Sequence, residues 1–169
     1  MVSGPLQNEE ALIRRDTFLE VCRSLGFDSA RLPVFEGDFQ VQSGHQAVRM
    51  LFGRKGSDPM PDLLVCANDN MAFGAMRELK ALGYRVPADV AVTGFDNLKE
   101  ARFSFPALST VSQPIEEQGY RAVLSALDIS EGIVVPETLT LPTQMVLRAS
   151  CGCYSVAGKK FSRTLEALR

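Results

Sequence analysis

Arg14, Asn68, Asp69 and Asp96 are the residues whose types and surroundings invite chemistry, and that chemistry is recognition by hydrogen bonding. Arg14 can grip a carboxylate or a pair of hydroxyls with its forked guanidinium. The alternative is one of two adjacent arginines, Arg14 and Arg15, solvated on a helix face. Asp96 follows an apolar run and Gly94, so its carboxylate can accept hydrogen bonds from ligand hydroxyls or amines. It can equally bond its own backbone in a turn with Asn97. Asn68 and Asp69 stop another apolar run where a helix cap is wanted. The Asn68 amide serves either a ligand or that cap, whereas Asp69 reads mainly as a cap. Other combinations fall short of chemistry. The single histidine, His45, has no acid or nucleophile in a recognisable arrangement nearby in the sequence. Cys151-Gly152-Cys153 offers two thiols without a third or fourth metal ligand. Gly53-Arg54-Lys55-Gly56-Ser57 has the wrong glycine and lysine spacing for a phosphate-binding loop. Neither a catalytic group nor a cofactor or metal site is expected.

The elements that must position these groups alternate. Leu63–Ala67 and Val90–Thr93 are apolar runs suited to strands buried on both faces of a parallel sheet. Between them Met71, Ala72, Ala75, Met76, Leu79 and Leu82 repeat at helical spacing, with Gly83 as terminator. Upstream, the pattern predicts a strand near Val2, a helix over about Glu9–Leu25, a strand near Leu32–Phe35 and a helix over about Gln42–Phe52. Gly53–Pro61 reads as a loop. Downstream, Asn97–Pro106 reads as a loop and Leu108–Val111 as β-branched strand. Ile115, Ala122, Val123, Ala126 and Leu127 mark an amphipathic helix, and Glu137–Leu147 a final strand. Strands alternating with helices imply a doubly wound α/β fold with a parallel sheet. Ligands of such sheets bind in the crevice outside the carboxyl ends of the strands, where Asn68 and Asp96 fall.

The sequence also resembles a known family. Ala67-Asn68-Asp69, with Met71-Ala72 and Gly74-Ala75, followed by Val86-Pro87 and Gly94-Phe95-Asp96, looks like the core of the lactose-repressor (LacI) family's effector-binding domain. Four more segments agree in order. They are Val2-Ser3-Gly4-Pro5 with Arg14 and Phe18, Gly37-Asp38-Phe39 with Gly44, Pro106 through Pro114, and Leu141-Pro142-Thr143 through Arg148-Ala149-Ser150-Cys151. The resemblance covers about residues 2–151 and implies a periplasmic-binding-protein-like type I fold. Under it, residues 1–106 form a largely complete C-terminal lobe. Residues 107–133 are the crossover strand and helix of a mostly missing N-terminal lobe, residues 134–151 a returning strand, and residues 152–169 an extension. It implies ligand contact by Arg14 and Asp96, ring stacking by Phe39 unless that side chain is ordinary core, and a crossover role for Gln113, which either touches ligand or pins the hinge.

Composition narrows the function. Eighteen basic and twenty acidic side chains give a net charge of −2, so this chain has no electrostatic footprint for nucleic acid. Operator DNA is therefore expected as a partner only through an absent N-terminal domain. No apolar run approaches the roughly 20 residues that span a bilayer, and the first ten residues lack a signal-peptide pattern. Four cysteines without an export signal point to a reducing cytoplasm. The expectation is a small-molecule sensor, its effector a sugar or nucleoside-like metabolite, in a homodimer. Leu108–Leu127 is expected to find a partner in another chain, because the lobe it would pack on is not encoded here. Two alternatives remain: a sensor fused to a kinase or nucleotide cyclase, to which a helix in Tyr154–Arg169 would lead, and a periplasmic sugar-binding protein.

Overall fold

In the computed structural model, residues 1–52 and 60–153 are described. Short apolar runs become strands of two or three residues, and the stretches between them become helices. In order they are β1 (Val2–Ser3), α1 (Glu9–Ser24), β2 (Phe35–Glu36), α2 (Val41–Phe52), β3 (Leu63–Val65) and α3 (Asp69–Ala81). They continue as β4 (Ala91–Thr93), α4 (Lys99–Phe103), β5 (Thr110–Ser112), α5 (Ile115–Ser130) and β6 (Gln144–Val146). β1 pairs with β2 and β3 with β4, both in parallel, with Val2 opposite Phe35 and Leu64 opposite Val92. Single parallel bridges, Val2 to Cys66 and Thr93 to Ser109, extend the spatial order to β2-β1-β3-β4-β5. After β1 the chain goes to one side and after β2 it returns to the other. The boundary between β1 and β3 is thus a point where strand order reverses, and such a point opens a crevice at the carboxyl edge.

The core forms where apolar strand residues meet the inward stripe of α2 and α3. Val2, Leu64, Val90 and Val92 are fully buried against Ala47, Val48, Met71, Ala75 and Leu79. Each large side chain of this kind contributes about 1.5–3 kcal/mol relative to exposure. The two helices approach closely because Gly44 and Gly74 face each other's backbone. A Cβ on Gly44 would strike the Met71 carbonyl, and one on Gly74 the Val41 carbonyl. Beside that crossing Glu78 accepts from Arg49 at 2.7 Å and lies 3.1 Å from His45 Nδ1. His45 therefore does have an acid neighbour, contrary to the sequence reading, because tertiary packing supplies one from 33 residues away.

Several boundaries differ from expectation. The strand near Leu32–Phe35 starts later, at Phe35, because Ser29–Arg31 forms a 3-10 turn that Leu32 closes. Leu63 is 41% exposed, so β3 is not buried on both faces at its start. The stretch Asn97–Pro106 contains α4 rather than being all loop. The final strand is reduced to Gln144–Val146 and runs antiparallel to β5. Of the loop expected over Gly53–Pro61, residues 53–59 lie outside the described residues, as does the helix expected in Tyr154–Arg169. α5 has the expected helical spacing but buries none of its residues: Ile115, Tyr120, Val123 and Leu127 are all more than half exposed. No helix among the described residues is long and apolar enough to cross a membrane.

Candidate functional site

The carboxyl edge of β3 and β4 carries the polar groups. Arg14, in the second turn of α1, reaches across the strand-order reversal and donates from Nη1 to the Ala67 carbonyl at 2.8 Å. Its Nη2 donates to Glu10 at 2.9 Å, and its guanidinium lies 4.3 Å from the centre of the Phe95 ring. Arginine over an aromatic face is attracted by the ring quadrupole, so Phe95 and Ala67 together fix the fork in place. Phe95 was missed as a site residue by the sequence reading, although it stands between Gly94 and Asp96 in the motif. Asp96 itself has φ 111 and Asn97 φ 57, backbone states that L-residues seldom adopt. Burial pushes the Asp96 carboxyl upward, opposed by a hydrogen bond from Gln113 and by the charge of Arg14.

Phe39 is the third non-glycine residue held at positive φ among the described residues, at 66. Its half-buried ring lies over Gly4, at the end of β1, so closely that a Cβ on Gly4 would overlap ring atoms. Asn68 holds this loop from behind. Its Oδ1 accepts from the Met71 amide and caps α3, and its Nδ2 donates to the Phe39 carbonyl at 2.9 Å. Both ends of the amide thus have protein partners, and the capping reading of Asn68 accounts for its contacts. Gln113, on the segment after β5, donates to Asp96 Oδ1 at 2.8 Å. It pins the crossover to the site's carboxylate.

Asp69 corrects the sequence reading. It opens α3 but does not cap it. Its carboxylate is fully buried and accepts from the Thr110 hydroxyl at 2.6 Å and from the Leu98 amide at 2.8 Å. Burial raises its carboxyl, while those two bonds and the charge of Arg148 resist the rise. Arg148 in turn donates to Leu108 O at 2.7 Å and to Asn97 Oδ1 at 2.6 Å. Asp69, Asn97, Thr110 and Arg148 therefore staple the β4 loop to the crossover strand. Sequence patterning had no means of finding this set, since its bonded pairs lie as far as 51 residues apart.

The residues converge into a surface that can hold a small polar molecule: a cation fork, a carboxylate, an amide and an aromatic ring along one sheet edge. Among the described residues no group of three or more His, Cys, Asp or Glu side chains could hold a metal ion. A separate cavity of about 730 Å³ lies elsewhere, between α3 and α4, and none of these site residues lines it. Phe103 and Phe105 on its rim are 82% and 92% exposed.

Known proteins carry the same architecture. The HTH-type transcriptional repressor PurR of Proteus mirabilis (strain HI4320) is 34% identical over 128 residues, which is 76% of this chain and 37% of that protein. The HTH-type transcriptional repressor MelR of Bacillus subtilis (strain 168) is 33% identical over 120 residues, 71% of this chain and 34% of that protein. Among solved structures, a lac repressor dimer bound to operator and the anti-inducer ONPF superposes with a TM-score of 0.80 at 30% identity. That match covers 88% of this chain and 50% of the repressor chain. The Escherichia coli transcriptional repressor ascG gives 0.76 at 28% identity, covering 88% of this chain and 53% of its own. The chain thus spans about half the length of these structures and little more than a third of the curated relatives. Residues 2–151 match the periplasmic binding protein-like domain, and the chain belongs to that family in the form that LacI-type repressors carry as their effector-binding domain.

Proposed function

We propose that this chain is the ligand-sensing part of a LacI-type transcription regulator. The effector is a small polar metabolite, a sugar or a nucleoside-like compound. It docks on Arg14 and Asp96, with the Phe39 ring beside it and Gln113 and Asn68 holding the two loops in place. The lobe formed by residues 1–106 supplies one wall of the site, and a second lobe, entered through 107–133 and left through 134–151, closes over it. Closure shifts the angle between lobes, and that shift changes operator affinity through a separate DNA-binding domain. The chain is a sensor, not an enzyme, and works in the cytoplasm as a homodimer.

The observation that carries this reading is the strained backbone of Asp96 beside a fixed Arg14. Positive φ at a non-glycine residue persists only where the surroundings enforce it, and such residues gather at ligand clamps. Two exposed apolar faces support association with a second copy: the α5 stripe and the rim at Phe103 and Phe105. The lac repressor structures of similar fold are described as dimers.

A thermal-shift screen of sugars and nucleosides on the full-length regulator tests the proposal. A ligand at a hundredfold its Kd stabilises by about 2.7 kcal/mol, enough to move the transition by several degrees. A hit that shifts Arg14→Ala and Asp96→Ala as much as the unaltered protein would place the site elsewhere.

A further inference from the structure

Cys151 and Cys153 have no part in the site above, yet their sulfurs lie together. The two Sγ atoms are 2.7 Å apart, and the Cys153 amide donates to Cys151 Sγ at 3.4 Å. Gly152 makes this possible with φ 73, the left-handed turn that folds the chain back on itself. Cys153 is exposed, whereas Cys151 is 9% exposed and tucked against the Arg148 carbonyl. The remaining cysteines are differently placed. Cys66 is buried and its thiol is pushed up to about 12, and Cys22 is half-buried with its thiol also raised by burial.

We propose that Cys151 and Cys153 form a reversible dithiol–disulfide site that exchanges with small-molecule disulfides of the oxidised-glutathione type. Two features of the pair suit it to exchange: one sulfur is open to solvent and the second is in contact behind it. The pair shares a proton. Burial works against ionisation at both, but hydrogen bonds from Cys153 and Ser109 hold the Cys151 thiol below its ordinary range, while burial and the Cys151 sulfur push Cys153 to about 11.

In the first step the Cys153 sulfur attacks one sulfur of oxidised glutathione as its proton passes to Cys151. The S–S bond of glutathione breaks and one glutathione thiolate leaves. In the second step Cys151 gives a proton to that thiolate and attacks the mixed disulfide at Cys153. A Cys151–Cys153 bond forms and the second glutathione leaves. The pair, with its one shared proton, and one oxidised glutathione thus become one protein disulfide, one glutathione thiol and one glutathione thiolate, which takes its proton from solvent. The bond would close beside a hinge staple, because the buried Ser150 hydroxyl accepts from the Ser109 amide and donates to Val92 O.

The test incubates the 169-residue protein with oxidised glutathione, quenches with acid, alkylates free thiols and digests with trypsin. Cleavage after Arg148 and Lys159 isolates a peptide holding only these two cysteines. Expected is loss of both alkylation sites together, a peptide lighter by two hydrogens, and full return of both sites after dithiothreitol. In Cys151→Ser the mixed disulfide with glutathione should accumulate at Cys153, because no second sulfur resolves it. A stable mixed disulfide in the unaltered protein, or both thiols still alkylated while glutathione reacts at Cys22, overturns the proposal.

Discussion

Gln113 donates to Asp96 across 17 residues of sequence, at 2.8 Å. The bond joins the crossover segment to the one carboxylate at the end of β4. It also opposes the effect of burial on that carboxylate: burial raises the Asp96 carboxyl, and the Gln113 bond is the largest influence lowering it.

Replacing Gln113 with leucine removes that donor and leaves the burial. The Asp96 carboxyl should then titrate at higher pH than in the unaltered protein. Carbon-13 NMR of the side-chain carboxyl across pH 3 to 7 reads this directly. If the effector is held by ionised Asp96, its binding is lost as pH falls through the folded-state pKa, and in the variant that loss begins at higher pH. A titration unmoved or moved downward would show that Gln113 does not govern the carboxylate.

Arg14→Ala and Asp96→Ala should each weaken effector binding to the complete regulator while leaving it folded. Losing a charged hydrogen-bonding partner costs roughly 1.5–3 kcal/mol, or about ten- to hundredfold in affinity. Calorimetric titration measures the change, and circular dichroism checks the fold. Unchanged affinity in both variants would remove these residues from the site.

Asp69→Ala should destabilise the chain by roughly 2–4 kcal/mol, because it leaves the Leu98 amide and the Thr110 hydroxyl without their acceptor in a buried place. Asp69→Asn should cost less, since its carbonyl can still face Leu98 and its amide Thr110. The pH dependence separates charge from geometry. The folded-state pKa of Asp69 is raised, so the charged form is the disfavoured one when folded. Stability from this group is therefore gained as pH falls through the folded pKa towards the unfolded value, and lost as pH rises again. Urea midpoints of the unaltered protein should rise relative to Asp69→Asn as pH is lowered from 7 towards 4. A constant difference would mean that Asp69 carries no raised pKa.

The exposed stripe of α5 should mediate self-association of the chain. Val123 and Leu127 are 61% and 54% exposed. Covering each in a dimer contributes about 1.5–3 kcal/mol, so Val123→Asp with Leu127→Asp should weaken the dimer by roughly a hundredfold or more. Light scattering across a concentration range reads the change. Phe103→Asp with Phe105→Asp serves as the comparison: if that pair dissolves the dimer and the α5 pair does not, the interface lies on the α3–α4 cavity instead.

The sequence by itself determined the alternation of elements and the strand-ending positions of Asn68 and Asp96, because apolar periodicity and capping chemistry are local. Asn68 does cap α3, and Gly83 does end it in a left-handed turn. Tertiary structure decided what the polar groups do once brought together. Asp69 looks like a cap in the sequence, yet its carboxylate serves Thr110 and Leu98, partners that only the pairing of β4 with the crossover strand brings within reach. His45 gains Glu78 only because Gly44 and Gly74 let two helices cross closely. Arg14 finds Phe95 only because strand order reverses between β1 and β3. Hydrogen bonds and ion pairs act over a few ångströms of space, and separation along the chain carries little information about that distance until the fold has closed.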